Sequence, residues 1–322
     1  MSGGSPWPGR AVLATGGDGQ LGRVLASMGA APGLRAVGRR GPDGLDLADT
    51  DSIVAALDRV RPDLVVNAAA YTDVDGAEAD EETADAVNHL GAARLARVCA
   101  DRGVDLVHVS TDYVFDGSVP GGGDPASAPG LEPGDPVGPT TAYGRTKLAG
   151  ERAVLHEHPS ATVVRTAWVY TGALRAAHGL GGSDFVATMI RLEAEREEIA
   201  VVDDQWGCPT YSRVLADELL QLAYGTLDGV RDARGRTLHL AGGGRTTWCG
   251  LARAVFRYLG ADPERVRPCT TAEFPRPAPR PAFSVLSSDS WASTGLTPPP
   301  EWGDDLVPQL AELAWNRERG GR

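Results

Sequence analysis

Residues 11–22 read AVLATGGDGQLG, an apolar run from Ala11 to Ala14 that meets Thr15 and then glycines at 16, 17, 19 and 22. Beyond them Leu21, Val24, Leu25 and Met28 recur at three- and four-residue spacing, the period of one helix face. A strand, a glycine turn and a helix in that order open a βαβ unit. Glycines at such a turn adopt backbone angles closed to other residues, let a pyrophosphate approach the main chain and let the helix pack closely. The spacing of Gly16, Gly19 and Gly22 is GxxGxxG rather than the usual dinucleotide fingerprint, so the reading rests on the strand before and the helix after. It makes Gly16, Gly19, Gln20, Leu21 and Gly22 the candidate cofactor contacts.

Outward from this turn the same rhythm repeats. Candidate strands lie at 34–38, 64–70, 106–111 and 161–169, rich in β-branched residues and nearly continuous in apolar character, as strands covered on both faces must be. Between them stand DSIVAALDRV, ADAVNHLGAARLARVCADRG and TAYGRTKLAGERAVLHEH, helical by spacing. The expectation is an α/β fold, a doubly wound parallel sheet over residues 1–170, with a smaller lobe over 171–322 from which some segments return to the sheet. Past residue 170 the pattern loosens, and the Pro-rich stretch 267–283 is expected to cross the surface as an extended loop.

The second candidate strand ends at Gly38-Arg39-Arg40, where an NAD-selecting site carries an acidic residue for the ribose hydroxyls. No carboxylate occupies that end. Two guanidinium groups suit a phosphate dianion, which favours NADPH and leaves NADH open. Asp46, Leu47 and the small Ala68, Ala69 and Ala70 are expected to line the adenine and ribose path at the carboxyl edge of the sheet.

Of the 31 basic residues in the chain, Lys147 is the single lysine. A lysine surviving so strong an arginine preference is expected to do something arginine cannot. Tyr143 stands four residues before it, on the same helix face one turn away. An ammonium beside a phenol is expected to lower the phenol's pKa and make it a usable proton donor near neutral pH. Ser110 and Thr111 end the fourth strand, where a hydroxyl can hold a substrate carbonyl for hydride attack. Thr111, Tyr143 and Lys147 are therefore the candidate catalytic set.

The net charge of −12, with no basic run, lacks the electrostatic footprint of a nucleic-acid or anionic-membrane partner, and neither is expected. The opening MSGGSPWPGR has no apolar signal segment and no window approaches roughly eighteen uninterrupted apolar residues, which gives a cytoplasmic expectation. Cys99, Cys208, Cys249 and Cys269 are far apart with no CxxC, and no histidine pair has ligand spacing, so neither a disulfide framework nor a metal site is expected. The acidic stretch 73–82 fails the spacing of a calcium loop and reads as a helix start.

Taken in order, GGDGQLGR, VHVSTDYVFDG, YGRTKLAGE, VVRTAWVY and VVDDQWGCPT resemble the dTDP-4-dehydrorhamnose reductase family of extended short-chain dehydrogenases/reductases. The likeness runs from about residue 11 to 290. It implies a Rossmann-type fold and reduction of the C4 ketone of a dTDP-4-keto-6-deoxy-L-hexose by NAD(P)H. It also implies Thr111 as the carbonyl-binding hydroxyl, Tyr143 as proton donor, and Lys147 as the residue that tunes Tyr143 and binds the nicotinamide ribose. Sugar contacts are implied at Asp112, Tyr113 and Trp168, and contacts to the nucleotide at Gln205, Trp206, Pro209, Thr210 and Arg280. A homodimer is compatible with the resemblance, and no ligands for an intersubunit cation are recognisable. Loops 117–139 and 171–184 look longer than is typical, so a related 4-keto sugar, such as the substrate of a dTDP-dihydrostreptose synthase in antibiotic biosynthesis, is a second candidate. From a different class, a catalytically silent nucleotide-binding regulatory subunit of the same fold is the alternative, and retention of Thr111, Tyr143 and Lys147 favours the enzyme.

Overall fold

The computed structural model describes residues 9–28, 33–182, 184–230, 233–306 and 310. Residues 1–8, read above for the absence of an apolar signal segment, and the chain beyond 310 lie outside the described residues. Five strands follow the expected order: β1 (Val12–Ala14), β2 (Leu34–Ala36), β3 (Leu64–Asn67), β4 (Asp105–Thr111) and β5 (Thr162–Thr166). A further strand, Thr237–His239, comes back from the C-terminal half and pairs with β5. The sheet order is Thr237–His239, β5, β4, β3, β1, β2, and every pairing is parallel. The chain reverses its direction of travel across the sheet between β1 and β3, which makes the crevice outside their carboxyl ends the place where a ligand of such a sheet binds.

All residues of β1, β3 and β5 are buried, because helices cover both faces and leave two separate cores. On one face the helix Gln20–Ser27 (α1) and the helix Ser212–Leu227 bury Val24, Leu25, Leu215 and Leu219. On the other, the helices Thr50–Val60 and Ala92–Arg102 bury Ile53, Leu57, Leu95 and Cys99.

Two apolar runs end as strands three residues short of their expected bounds. The 64–70 run leaves the sheet at Asn67, because the Ala69 amide is taken by Thr15 Oγ1 and Asn67 Oδ1, at 3.2 and 3.3 Å. The 161–169 run breaks at Trp168, whose φ of 46° no strand residue can adopt. The Pro-rich stretch differs from the expected loop in one respect: it begins inside a strand, Val266–Cys269, which among the described residues pairs only with Ile199–Val202, an edge position that tolerates Pro268. Among the described residues no helix is long and apolar enough to cross a membrane.

Candidate active site

At the crevice, Gly16 sits at φ 72°, and a β-carbon there would stand 2.8 Å from Ala69 N and 2.9 Å from the Ala68 carbonyl. A β-carbon at Gly22 would stand 2.0 Å from Gly16 O. Both positions are closed to any side chain by backbone. Gly19 differs, being exposed and meeting only Gly16 O at 3.3 Å. It is the N-cap of α1 and no side chain caps that helix, so the first-turn amides, including those of Gln20 and Leu21, remain open to an anion at the positive end of the helix dipole. The turn thus fits the pyrophosphate of a dinucleotide. Gln20 also donates to Val169 O at 3.3 Å, tying the turn to the segment after β5.

The end of β2 departs from its sequence reading. No carboxylate follows that strand in the chain, but the fold supplies one from the turn: Asp18 lies over Gly38 and accepts the Arg39 amide at 2.9 Å. Arg39 pairs with Asp46 at 2.8 Å, while Arg40 is exposed. Partial burial pushes the Asp46 carboxyl up, but the Ala48 amide and Arg39 outweigh it and hold the group below its ordinary value. Leu47 is buried against Gly91, and Ala68, Ala69 and Ala70 are half-buried beside the turn.

Across the sheet, the helix Ala142–Glu157 is started by Thr141, whose hydroxyl accepts the Gly144 amide at 2.9 Å. It lays Tyr143 and Lys147 against the end of β4. Thr111 comes within hydrogen-bonding reach of the Tyr143 phenol, donates to Asp112 Oδ1 at 3.0 Å and accepts the Tyr113 amide at 3.2 Å. The Tyr113 ring meets Tyr143 edge-on with centroids 5.5 Å apart. Lys147 Nζ donates to Val109 O, two residues before Thr111, at 2.7 Å.

One expectation is overturned here. Lys147 does not hold the phenol down: burial pushes Tyr143 up to about 12, with the Thr111 hydroxyl opposing and Asp112 adding to the rise. The ammonium faces a main-chain carbonyl, and burial brings Lys147 itself down to about 8 against the pull of Glu151. Burial likewise raises Asp112 to about 6, opposed by the hydroxyls of Ser284 and Thr111.

The outer residues divide. Trp168 stands just past Thr166, the register partner of Thr111, in a left-handed conformation that costs a bulky residue on the order of 1–3 kcal/mol. Arg280 lies near Tyr113, pairing with Asp75 at 2.9 Å. Gln205 donates to Thr271 at 2.9 Å, and the Thr210 hydroxyl bonds Cys208 O at 3.2 Å and the Gly242 amide at 3.1 Å, so their polar groups are engaged within the C-terminal lobe. The Trp206 main chain is bonded to Ala282 and Ser284, and Pro209 is buried against Gly242.

Over most of its length the chain is similar to known proteins. Residues 10–315 match the profile of the family described as RmlD substrate binding domain. The chain belongs to this family. Over 308 residues it is 49% identical to a dTDP-4-dehydrorhamnose reductase of Mycobacterium tuberculosis (strain CDC 1551 / Oshkosh), covering 94% of this chain and 93% of the relative. A dTDP-4-keto-6-deoxy-D-glucose reductase of Streptomyces niveus is 43% identical, with 92% and 94% covered. Among solved structures, the dTDP-4-dehydrorhamnose reductase of Bacillus anthracis in complex with NADP superposes with a TM-score of 0.81 at 32% identity, over 94% of this chain and 99% of that one.

The RmlD-family site also contains residues that sequence reasoning missed. Asn88 lies in a π-helical segment, Ala86–Gly91, and is fully buried. It brackets the Tyr71 main chain with bonds of 2.9 and 3.1 Å and donates to Thr146 Oγ1, which in turn bonds Tyr143 O. One amide thereby ties the loop after β3 to the helix that carries Tyr143 and Lys147. The π-helical turn is a mark of functional positions that only the structure shows, and nothing in the sequence distinguishes this asparagine from a surface one.

Proposed function

We propose that the chain reduces the C4 ketone of a dTDP-4-keto-6-deoxy-L-hexose with NADPH, the dTDP-4-dehydrorhamnose reductase reaction or that of a close dTDP-4-keto sugar reductase. The convergence of the Thr111 and Tyr143 hydroxyls at the carboxyl edge of β4, on the same sheet edge as the glycine turn, is the observation that carries this reading. Residues 1–170 form the dinucleotide domain in this assignment, and 171–322 mainly the sugar lobe, with Thr237–His239 returned to the sheet.

Gly16, Gly19, Gln20, Leu21 and Gly22 hold the pyrophosphate, and Arg39, Arg40, Asp46, Leu47 and Ala68–Ala70 flank the adenosine. When bound, the nicotinamide supplies the hydride. Thr111 and Tyr143 grip the ketone oxygen; a phenol near 12 is fully protonated at neutral pH and so is available as an acid. As charge grows on that oxygen, Tyr143 Oη passes its proton to it. Lys147, one turn away on the same helix and anchored on Val109 O, holds the nicotinamide ribose. Asp112, Tyr113 and Trp168 hold the sugar ring, and Arg280 the nucleotide diphosphate.

Loss of absorbance from NADPH on addition of dTDP-4-keto-6-deoxy sugars, with product identified by NMR, tests the reading. Turnover that is lost in Tyr143→Phe is expected. Tight NADPH binding with no turnover on any keto sugar would overturn it in favour of a silent nucleotide-binding subunit.

A further inference from the structure

We infer that Trp248 is a positioning residue for the sugar, holding Trp168 as a fixed aromatic plate at the carboxyl edge of the sheet; this rests on the proposed role of Trp168. The plate stands between two parts of the site. Its neighbour Val169 accepts a hydrogen bond from Gln20 of the glycine turn, and Thr166, two residues before it, is in register with Thr111.

A tryptophan at φ 46° is an outlier that persists only where its surroundings over-determine it. Three contacts do so. The indole of Trp248 stacks on that of Trp168 with centroids 3.6 Å apart and planes inclined by 7°. Gly207 lets the ring lie where it does, since a β-carbon there would fall 2.3–2.6 Å from three of its atoms. The Trp168 carbonyl accepts the Thr210 amide at 3.2 Å.

The support is built into the lobe. Antiparallel pairing of Thr246 with Gly207 and Thr247 with Trp206 sets the start of the helix Trp248–Tyr258 beside that glycine. Phe185, from the helix Phe185–Glu195, leans on Trp248 at 4.5 Å. An isolated, half-buried indole would sample several rotamers and lose them on binding; a stacked one is already ordered, so its contribution appears in sugar affinity. Trp248 makes no contribution to the proton transfer or to the glycine turn in this account.

The full-length wild type is compared with Trp248→Leu and Trp248→Phe. Stacked indoles couple their electronic transitions, so a circular dichroism couplet is expected in the wild type and is lost in both variants. Trp248→Leu is expected to weaken dTDP-rhamnose binding and raise the KM for the keto sugar about tenfold, with kcat and the NADPH Kd little changed. Trp248→Phe keeps a flat ring and is expected to bring the KM back to about two- to threefold above wild type. Wild-type sugar affinity in Trp248→Leu overturns the inference, as does an equal loss of NADPH affinity, which would mark general damage to the fold. If the leucine variant does not fold, Trp248→Phe decides alone: an unchanged KM overturns the inference. A wild type that neither binds nor turns over a dTDP-linked 6-deoxy sugar overturns the proposed function and this inference together, whereas unchanged sugar binding in the variants of an active enzyme overturns the inference only.

Discussion

Glu151 sits one helical turn beyond Lys147, yet both its carboxylate oxygens belong to Arg165, at 2.9 and 2.8 Å. The two side chains are 3% and 6% exposed, and the guanidinium also lies over the Phe115 ring. The pair joins the helix of the candidate acid to β5 and leaves the Lys147 ammonium to the Val109 carbonyl. Removing one partner of such a pair strands a buried charge, at about 3–5 kcal/mol. Arg165→Met is therefore expected to be strongly destabilising in urea melts. Glu81→Gln, which breaks the 2.7 Å pair with Arg145 where both groups are about half exposed, should cost less than about 1 kcal/mol. Equal losses in the two variants would show that the forked geometry of the buried pair carries no special weight.

Lys147 is expected to trade stability for activity. Its folded-state pKa of about 8 lies below the ordinary 10.5, so between those values the folded chain holds fewer protons than the unfolded one, and stability rises with pH. Below pH 8 the full penalty of burying the ammonium is present. Lys147→Met should abolish turnover while raising stability at pH 7 by on the order of 3 kcal/mol, less whatever the orphaned Val109 carbonyl gives back. That increment should shrink as pH rises from 8 towards 10.5. Melting curves across this range decide the point, and an increment independent of pH would refute it.

The strands and the helix carrying Tyr143 and Lys147 were legible because their signals are local: continuous apolar runs, a glycine turn, and a four-residue spacing. What the sequence hid are contacts between distant segments. Trp168 and Trp248 are stacked across 80 residues of chain, and Asn88 reaches Thr146 across 58. Asp18 supplies the carboxylate at the end of β2 although it precedes that strand. The protonation of Tyr143 was misread for a related reason: spacing places an ammonium one turn from a phenol, but desolvation and the Val109 carbonyl decide what each group feels.

Asp112 should impose a pH dependence opposite in sign to that of Lys147. Its pKa of about 6 exceeds the ordinary 3.8, so between those values the folded chain holds more protons, and stability falls as pH rises through the window. Above pH 6 the whole penalty of the buried carboxylate remains. Asp112→Asn keeps an oxygen to accept from Thr111 and removes the charge. It should be stabilising at pH 7 and neutral below about pH 4. In kcat/KM, the wild type should show an inflection near pH 6 that Asp112→Asn lacks; its survival in that variant would assign the titration to another group.

Two glycines of the same turn should fail differently. At Gly22 a β-carbon collides with the chain's own backbone, 2.0 Å from Gly16 O and 2.5 Å from Gly16 C, so Gly22→Ala must distort the packing of α1 on the turn. It should lower Tm and abolish NADPH binding together. At Gly19 the same methyl meets only Gly16 O at 3.3 Å and otherwise faces outward over the uncapped start of α1. Gly19 has φ −83°, which an L-residue adopts without strain, so Gly19→Ala should leave Tm within a few degrees of wild type. The added methyl stands where a pyrophosphate must approach the amides, so NADPH affinity should fall about tenfold or more. Calorimetric titration beside a thermal melt separates the two variants. Undiminished NADPH affinity in Gly19→Ala would mean that the phosphates do not approach this helix start, and that the cofactor path assigned to the turn is wrong.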